Sequence, residues 1–413
     1  MRPMLAVVAG LLLLAGLPAA AMAAPGEEAD GGYVDPGEAE FDEIEVLRRK
    51  AASEGEWQQD QSEQIAVDRQ VLRESWVRVP FDQRPFDYTP DQIRDNWQSL
   101  IGNNFQLPYP SAQFLRDIYT RFPAIRNAHP EFDGDFERLE RELGDVWRLF
   151  MRGDYQLAMQ RGEALGPMGR VSGKTAQMIY AIYLQPNLAK KHMLLQDAAN
   201  VIREQGEGLE QLKKSKEQIY RNTYVVGRIA YTYAIGRIAE DVPIPVAIGR
   251  NYVFKVLGAI DDVRTLAPEN PLGYAASAAA DANVVRKVGK ATGRITFGAK
   301  QANIRTYFEQ ALRTSDMAMI RYEYANALLY VNKKRDIDEA IEQLKRSAKT
   351  QPRFAMEALD AMYASKRRRE VEALARSTAS FRSFERKRLK YQKEHNENLY
   401  CVLPGTCKPF IIQ

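Results

Sequence analysis

Apolar residues recur along this chain at intervals of three and four, the spacing that places side chains on one face of a helix. From Phe132 onward the pattern comes in pairs. Leu139, Leu143, Val146, Trp147 and Phe150 share one face, Arg152-Gly153-Asp154 supplies a turn, and Tyr155, Leu157 and Ala158 begin the return. A second pair is expected over about 175–205, with Tyr180, Ile182 and Tyr183 facing Leu195, Ala198 and Ile202. A third covers 215–268: Tyr220, Tyr224, Gly227, Tyr231 and Ala234 lie on one face, and Val242-Pro243-Ile244-Pro245 interrupts the chain. A long helix with the small-residue run Ala275, Ala276, Ser277, Ala278, Ala279 and Ala280 should follow and stop at Phe297-Gly298. Three further stripes close the array. They are Ile304, Phe308, Ala311 and Leu312, then Tyr322, Ala325, Leu328 and Leu329, then Ile341, Leu344 and Ala348 before Pro352.

Upstream, Thr89 caps a helix with Pro90 in its first turn and Ile93, Trp97 and Leu100 along one side. Ser111 caps another, carrying Phe114, Leu115, Ile118 and Tyr119 as far as Pro123. A polar helix with a weak stripe through Ile44, Leu47, Ile65, Val67 and Leu72 is expected over 43–76. Alternating β-branched runs between turn dipeptides hardly occur, so the fold class is all-α. The helix pairs recur at spacings at or above the common repeat of roughly 34 residues, which predicts an irregular solenoid. The organisation is then a signal over 1–23, an acidic disordered leader over 24–42, an N-terminal helical region over 43–131, a solenoid over 132–365 and a basic helical tail over 366–413.

Composition adds a compartment. Arg2, an apolar core from Leu5 to Leu17 and Ala21-Met22-Ala23 read as a secretory signal with a small-residue cleavage site. That core is too short to span roughly 30 Å of hydrocarbon, and no Cys follows it to carry a lipid. A soluble protein exported to a bacterial periplasm is expected. The formal charge of +4 is small, yet Lys366 to Lys393 holds eleven Lys or Arg against three Glu. This basic stretch reads as a solvated helix face, as a dock for an acidic surface such as the leader, or as a contact for an anionic membrane or envelope polymer. Nucleic acid is not expected outside the cytoplasm. Cys401 and Cys407 flank Val-Leu-Pro-Gly-Thr, whose Pro-Gly turn brings the sulfurs together, and an oxidising compartment makes them a disulfide.

Catalytic chemistry is thin. Gly173-Lys174-Thr175 resembles the end of a phosphate-binding loop, but Met168 stands where the upstream Gly belongs and no strand precedes it. A helix start at Ser172 or Thr175 fits it better. His129, His192 and His395 do not converge on a metal, and no nucleophile elbow or Cys-His pair is evident. Neither metal nor cofactor is expected, and the chain reads as a non-enzyme. Tyr220, Tyr224, Tyr231, Tyr233, Tyr322, Tyr324 and Tyr330 either line a groove that stacks on a peptide or apolar ligand, or fill the space between helices.

At Gly153-Asp154-Tyr155 with Ala158, at Thr265 through Pro271, and at Tyr307 through Leu312 followed by Arg321 through Ala325, the chain resembles the tetratricopeptide-repeat superfamily. Within it, the chain is most similar to exported bacterial proteins related to TatT, a helical component associated with periplasmic TRAP transport systems. Asn326 stands where the repeat usually has Gly, and Asp316 where a terminating Pro is usual. The resemblance implies a right-handed superhelix with a concave groove and no enzyme. Arg321, Tyr324 and Asn326, with Tyr224 and Tyr231, are the groove candidates. The leading expectation is a periplasmic scaffold or adaptor that holds a protein or peptide partner. A small-ligand-binding component of a transport system is the alternative, and a cell-envelope enzyme such as a peptidoglycan lytic enzyme comes third.

Overall fold

Helix ends, rather than helix centres, explain where this chain turns. The computed structural model describes residues 68–412 except 205. The signal, the acidic leader and most of the polar helix expected over 43–76 lie outside the described residues. Among the described residues every regular element is helical, and an isolated bridge joins Asn187 to Glu397.

The longer helices are α1 (Ala112–Arg121), α2 (Phe136–Arg152), α3 (Tyr155–Ala164), α4 (Gly166–Tyr183), α5 (Leu188–Glu204), α6 (Gln218–Asp241) and α7 (Tyr252–Leu266). They continue with α8 (Pro271–Val288), α9 (Gln301–Thr314), α10 (Ala318–Asn332), α11 (Ile337–Ala348), α12 (Ala355–Arg376) and α13 (Phe381–His395). Several starts are built as the sequence suggests. Thr89 and Gln92 form a reciprocal capping box, and the Ser111 hydroxyl accepts the Phe114 N–H at 3.2 Å. Gly153, at φ 90°, ends α2 in the left-handed conformation, and a side chain there would also strike Val79 and Ala355.

Three boundaries differ from expectation. The helix expected to open near Thr175 begins at Gly166, so Ser172 and Thr175 are interior residues that bond back to Gly169 O and Val171 O. Its glycines are contact points. A Cβ on Gly162 of α3 would lie 2.5 Å from the carbonyl oxygen of Gly169 and 3.0 Å from the Cα of Gly173. The long helix expected to reach Phe297 breaks at Gly289, φ 81°, leaving α8 and a short helix Lys290–Phe297. The polar helix expected to reach Trp76 stops at Arg73, and the Trp76 ring stacks on Tyr180 at 4.2 Å.

Consecutive helices pack on one another from α2 to α12. The last then meets the first: α12 packs against α2 and α4, with Phe354 against Phe150 at 6.0 Å and the Tyr183 hydroxyl donating to Asp360. A one-dimensional stack, in which each pair touches only its neighbours, has no such return contact.

The segment over 366–413 completes the closure. Lys366 donates to the carbonyls of Leu399 and Cys401. Arg367 is fully buried and bonds Asn326 at 3.0 Å, Glu370 at 2.8 Å and Glu385 at 3.0 Å. Arg388 reaches Glu370 at 3.3 Å, so part of the basic charge is neutralised inside the protein. Arg369, Arg376, Arg382, Arg386, Lys387, Lys390 and Lys393 stay exposed. Beyond α13, Asn398 donates to the carbonyls of Ala181, Ile182 and Gln185, and Val402 N–H to that of Tyr183. Those of Ala181, Ile182 and Tyr183 are carbonyls that the end of α4 leaves without an intrahelical donor, and Gln185 follows just beyond it. Cys401 and Cys407 are joined in a disulfide.

Substituting Gly162 by Ala forces backbone apart from backbone, and chemical denaturation should show a loss of about 1–3 kcal/mol. Asp360 offers a pH test. Burial pushes its carboxyl up to about 7, against the hydrogen bond from Tyr183. Because the folded pKa lies above the unfolded value, stability is lost as pH rises from about 4 to 7. Asp360→Asn should therefore gain about 1–4 kcal/mol over the native chain at pH 8 and much less at pH 4, read from thermal melts.

Candidate functional site

Inside the closed stack lies a cavity of about 220 Å³. Its walls come from α4 (Met178, Ile179), α6 (Ile229, Gly236), α7 (Val256, Leu257), α8 (Ala276, Ala279) and α10 (Met319, Ile320). The volume exceeds the roughly 150 Å³ known to admit a benzene-sized guest. A run of small residues like that on α8 lets a neighbouring helix approach closely. Ala278 does pack and is fully buried, but Ala275, Ala276, Ala279 and Ala280 line the cavity, the last three keeping part of their surface accessible. Gly236 contributes most clearly to the space. It sits inside α6, and a Cβ built on it meets nothing within 4 Å.

At one end the wall becomes polar. Arg237 donates to Glu240 at 2.8 Å and to the Tyr400 hydroxyl at 2.6 Å, and is paired with Glu323. One guanidinium thus serves two buried carboxylates. Burial raises the Glu323 carboxyl, whereas Arg237 and Arg286 hold Glu240 below its usual range against its own burial. Behind this end, the hydroxyls of Tyr183 and Tyr322 lie 2.6 Å apart, with Tyr233 at 3.2 and 3.3 Å from them. These groups bond one another and leave the cavity with little polar surface. Lys287, at the edge of the wall, is pushed down to about 7 by burial and by Arg286, and its ammonium donates to the Val242 carbonyl at 2.7 Å. The arrangement can hold an apolar group. Among the described residues, no Ser, Cys or His lines it.

The five groove candidates lie elsewhere, and each is engaged in packing. Tyr224 is buried with its hydroxyl on Asp262 at 2.7 Å, and Tyr231 is buried under Arg228. Tyr324 stacks on Phe308 at 5.0 Å and donates to Glu339. Asn326 is buried against Arg367, and Arg321 is half-buried and points to Gln343 at 3.4 Å. None of the five lines the cavity. Lys174, singled out for its phosphate-loop-like setting, is buried between Glu163 and Asp197. His129 pairs with the Tyr119 hydroxyl at 2.8 Å, His192 with Asp241 at 3.0 Å, and His395 is exposed. No group of three or more His, Cys, Asp or Glu among the described residues could hold a metal ion.

The cavity walls were missed because their residues are the ones that sequence reading assigns to packing. A glycine inside a strongly helical run, opposite a row of alanines, was the available signal. Comparison with known proteins found no matching family model, curated protein or solved structure.

An interior helix glycine costs roughly 0.5–1 kcal/mol relative to alanine. Gly236→Ala should therefore stabilise the protein by about that amount in denaturant titrations, the opposite sign to Gly162→Ala.

Proposed function

We propose that this chain is a non-enzymatic binding protein that houses the apolar portion of a small ligand within a closed stack of helix pairs. One observation carries the reading: a wall of aliphatic side chains around space that Gly236 keeps open, in a helix where alanine would be more stable. Voids in a packed core cost stability, and one this size is favourable when a ligand restores the lost contacts. A guest of this volume fits as an alkyl chain or a ring, with any polar group held outside.

The reading agrees with the alternative implied by the TatT-type resemblance, a small-ligand component of a transport system. On this view the helix pairs are a modified tetratricopeptide array, and the signal over 1–23 exports the protein to the periplasm. Four of the adaptor reading's five candidate residues, Tyr224, Tyr231, Tyr324 and Asn326, are buried in internal contacts, and Arg321 is half-buried.

Binding of a fluorescent alkyl probe, displaced by unlabelled fatty acids, tests the proposal. Saturable uptake is expected, and ligand at a hundred times its Kd should raise stability by about 2.7 kcal/mol. Gly236→Leu, which places a side chain in the cavity, should weaken the probe at least about tenfold while keeping the native helix content. Absence of saturable uptake, or equal uptake by Gly236→Leu, would reject the reading.

A further inference from the structure

The lip of the cavity is built from two stretches that carry basic residues and no carboxylates. Residues 242–260 contain Arg250 and Lys255 and no Asp or Glu, and residues 286–308 contain Arg286, Lys287, Lys290, Arg294, Lys300 and Arg305 and again no Asp or Glu. The two stretches meet: the rings of Phe254, on α7, and Phe297 lie 6.1 Å apart. Phe254 is 46% exposed and Ile295 is 59% exposed, among the large apolar side chains most open to solvent. Lys290, Arg294 and Lys300 are exposed beside them, and none of the three forms an ion pair with another of the described residues. Asp281 accepts the backbone N–H of Lys300 at 3.1 Å.

We propose that this apolar, cationic lip docks on an anionic lipid bilayer, and that an acyl chain passes from the bilayer to the cavity beneath it. The second half rests on the ligand reading above; the first does not. Aromatic and aliphatic side chains flanked by Lys and Arg match the two layers of such a surface, the acyl boundary and the charged headgroups. No described helix is long and apolar enough to cross a membrane, so the contact is peripheral. The patch and the cavity share elements. Phe254 stands on the same helix as Val253, Val256 and Leu257, which line the cavity, and the short helix with Ile295 and Phe297 follows directly from Val284 and Lys287 of α8.

The full-length mature protein would be sedimented with phosphatidylcholine vesicles, with and without phosphatidylglycerol. The protein should partition to the phosphatidylglycerol vesicles, less so at raised salt. Both Lys290→Glu with Arg294→Glu and Phe254→Ser with Ile295→Ser should reduce bound protein about tenfold without changing the thermal melt, since all four positions are exposed. Gly236→Leu should still sediment but take no fluorescent acyl chain from labelled vesicles. Equal binding to both vesicle types, or binding indifferent to the lip variants, would overturn the docking proposal. A concentration-dependent dimer abolished by Phe254→Ser would do the same, by assigning the patch to a second copy of the chain. Native protein that ignores vesicles yet takes dispersed probe would end docking and leave the ligand reading standing. Docking with undiminished chain uptake by Gly236→Leu would do the reverse.

Discussion

The carbonyl groups at the end of α4 need hydrogen-bond donors, and the chain supplies them from more than two hundred residues away. Asn398 and Val402 occupy that helix end, and in doing so they fix α12 and α13 against the early helices. A helix terminus buried without donors would cost several kcal/mol, so the contact specifies where the closing segment lies. Around it grows a polar seam that few cores contain. Tyr183, Tyr322, Asp360, Arg237, Glu323 and Tyr400 are linked from four helices and the C-terminal segment. Such a seam adds little net stability compared with apolar packing, but it penalises every misplaced helix that would leave one member unpaired.

Closure also explains why space survives beside the seam. The polar groups hold α6 and α10 at a separation set by their own lengths, and the helices opposite present Ala276, Ala279 and Ala280 rather than large side chains. The result is a wall too far from its neighbours to be filled. At the lip the same economy of bulk leaves α7 and the short helix after α8 partly uncovered. Cavity and exposed apolar surface are thus two aspects of one under-packed corner, in a molecule whose other helix contacts are tight enough to exclude a single methyl group at Gly162.

Much of the helix layout was legible in the sequence because local physics decides it. The Thr89 box, the Ser111 cap, the Gly153 turn and the Pro243 break require only near neighbours, and the apolar faces of α2, α9 and α11 follow from spacing alone. Glycines misled where their role is tertiary: the helix start was expected at Ser172 or Thr175, yet Gly169 and Gly173 already lie inside α4, where α3 touches them. The basic run over 366–393 read as an outward face because its partners, Glu370, Glu385 and the carbonyls beyond α13, are chosen by the fold. The tyrosines allowed two readings in the sequence, and those proposed for a groove are found in packed positions. The cavity itself leaves almost no local trace, since an alanine facing a void and an alanine facing a helix are the same letter.

The cap on α4 also carries a consequence for folding. Its donors lie more than two hundred residues downstream, so the contact joins parts of the chain that are remote in sequence. Such pairing forms slowly compared with local helix contacts, because the entropy of closing so large a loop must be met before the hydrogen bonds are gained.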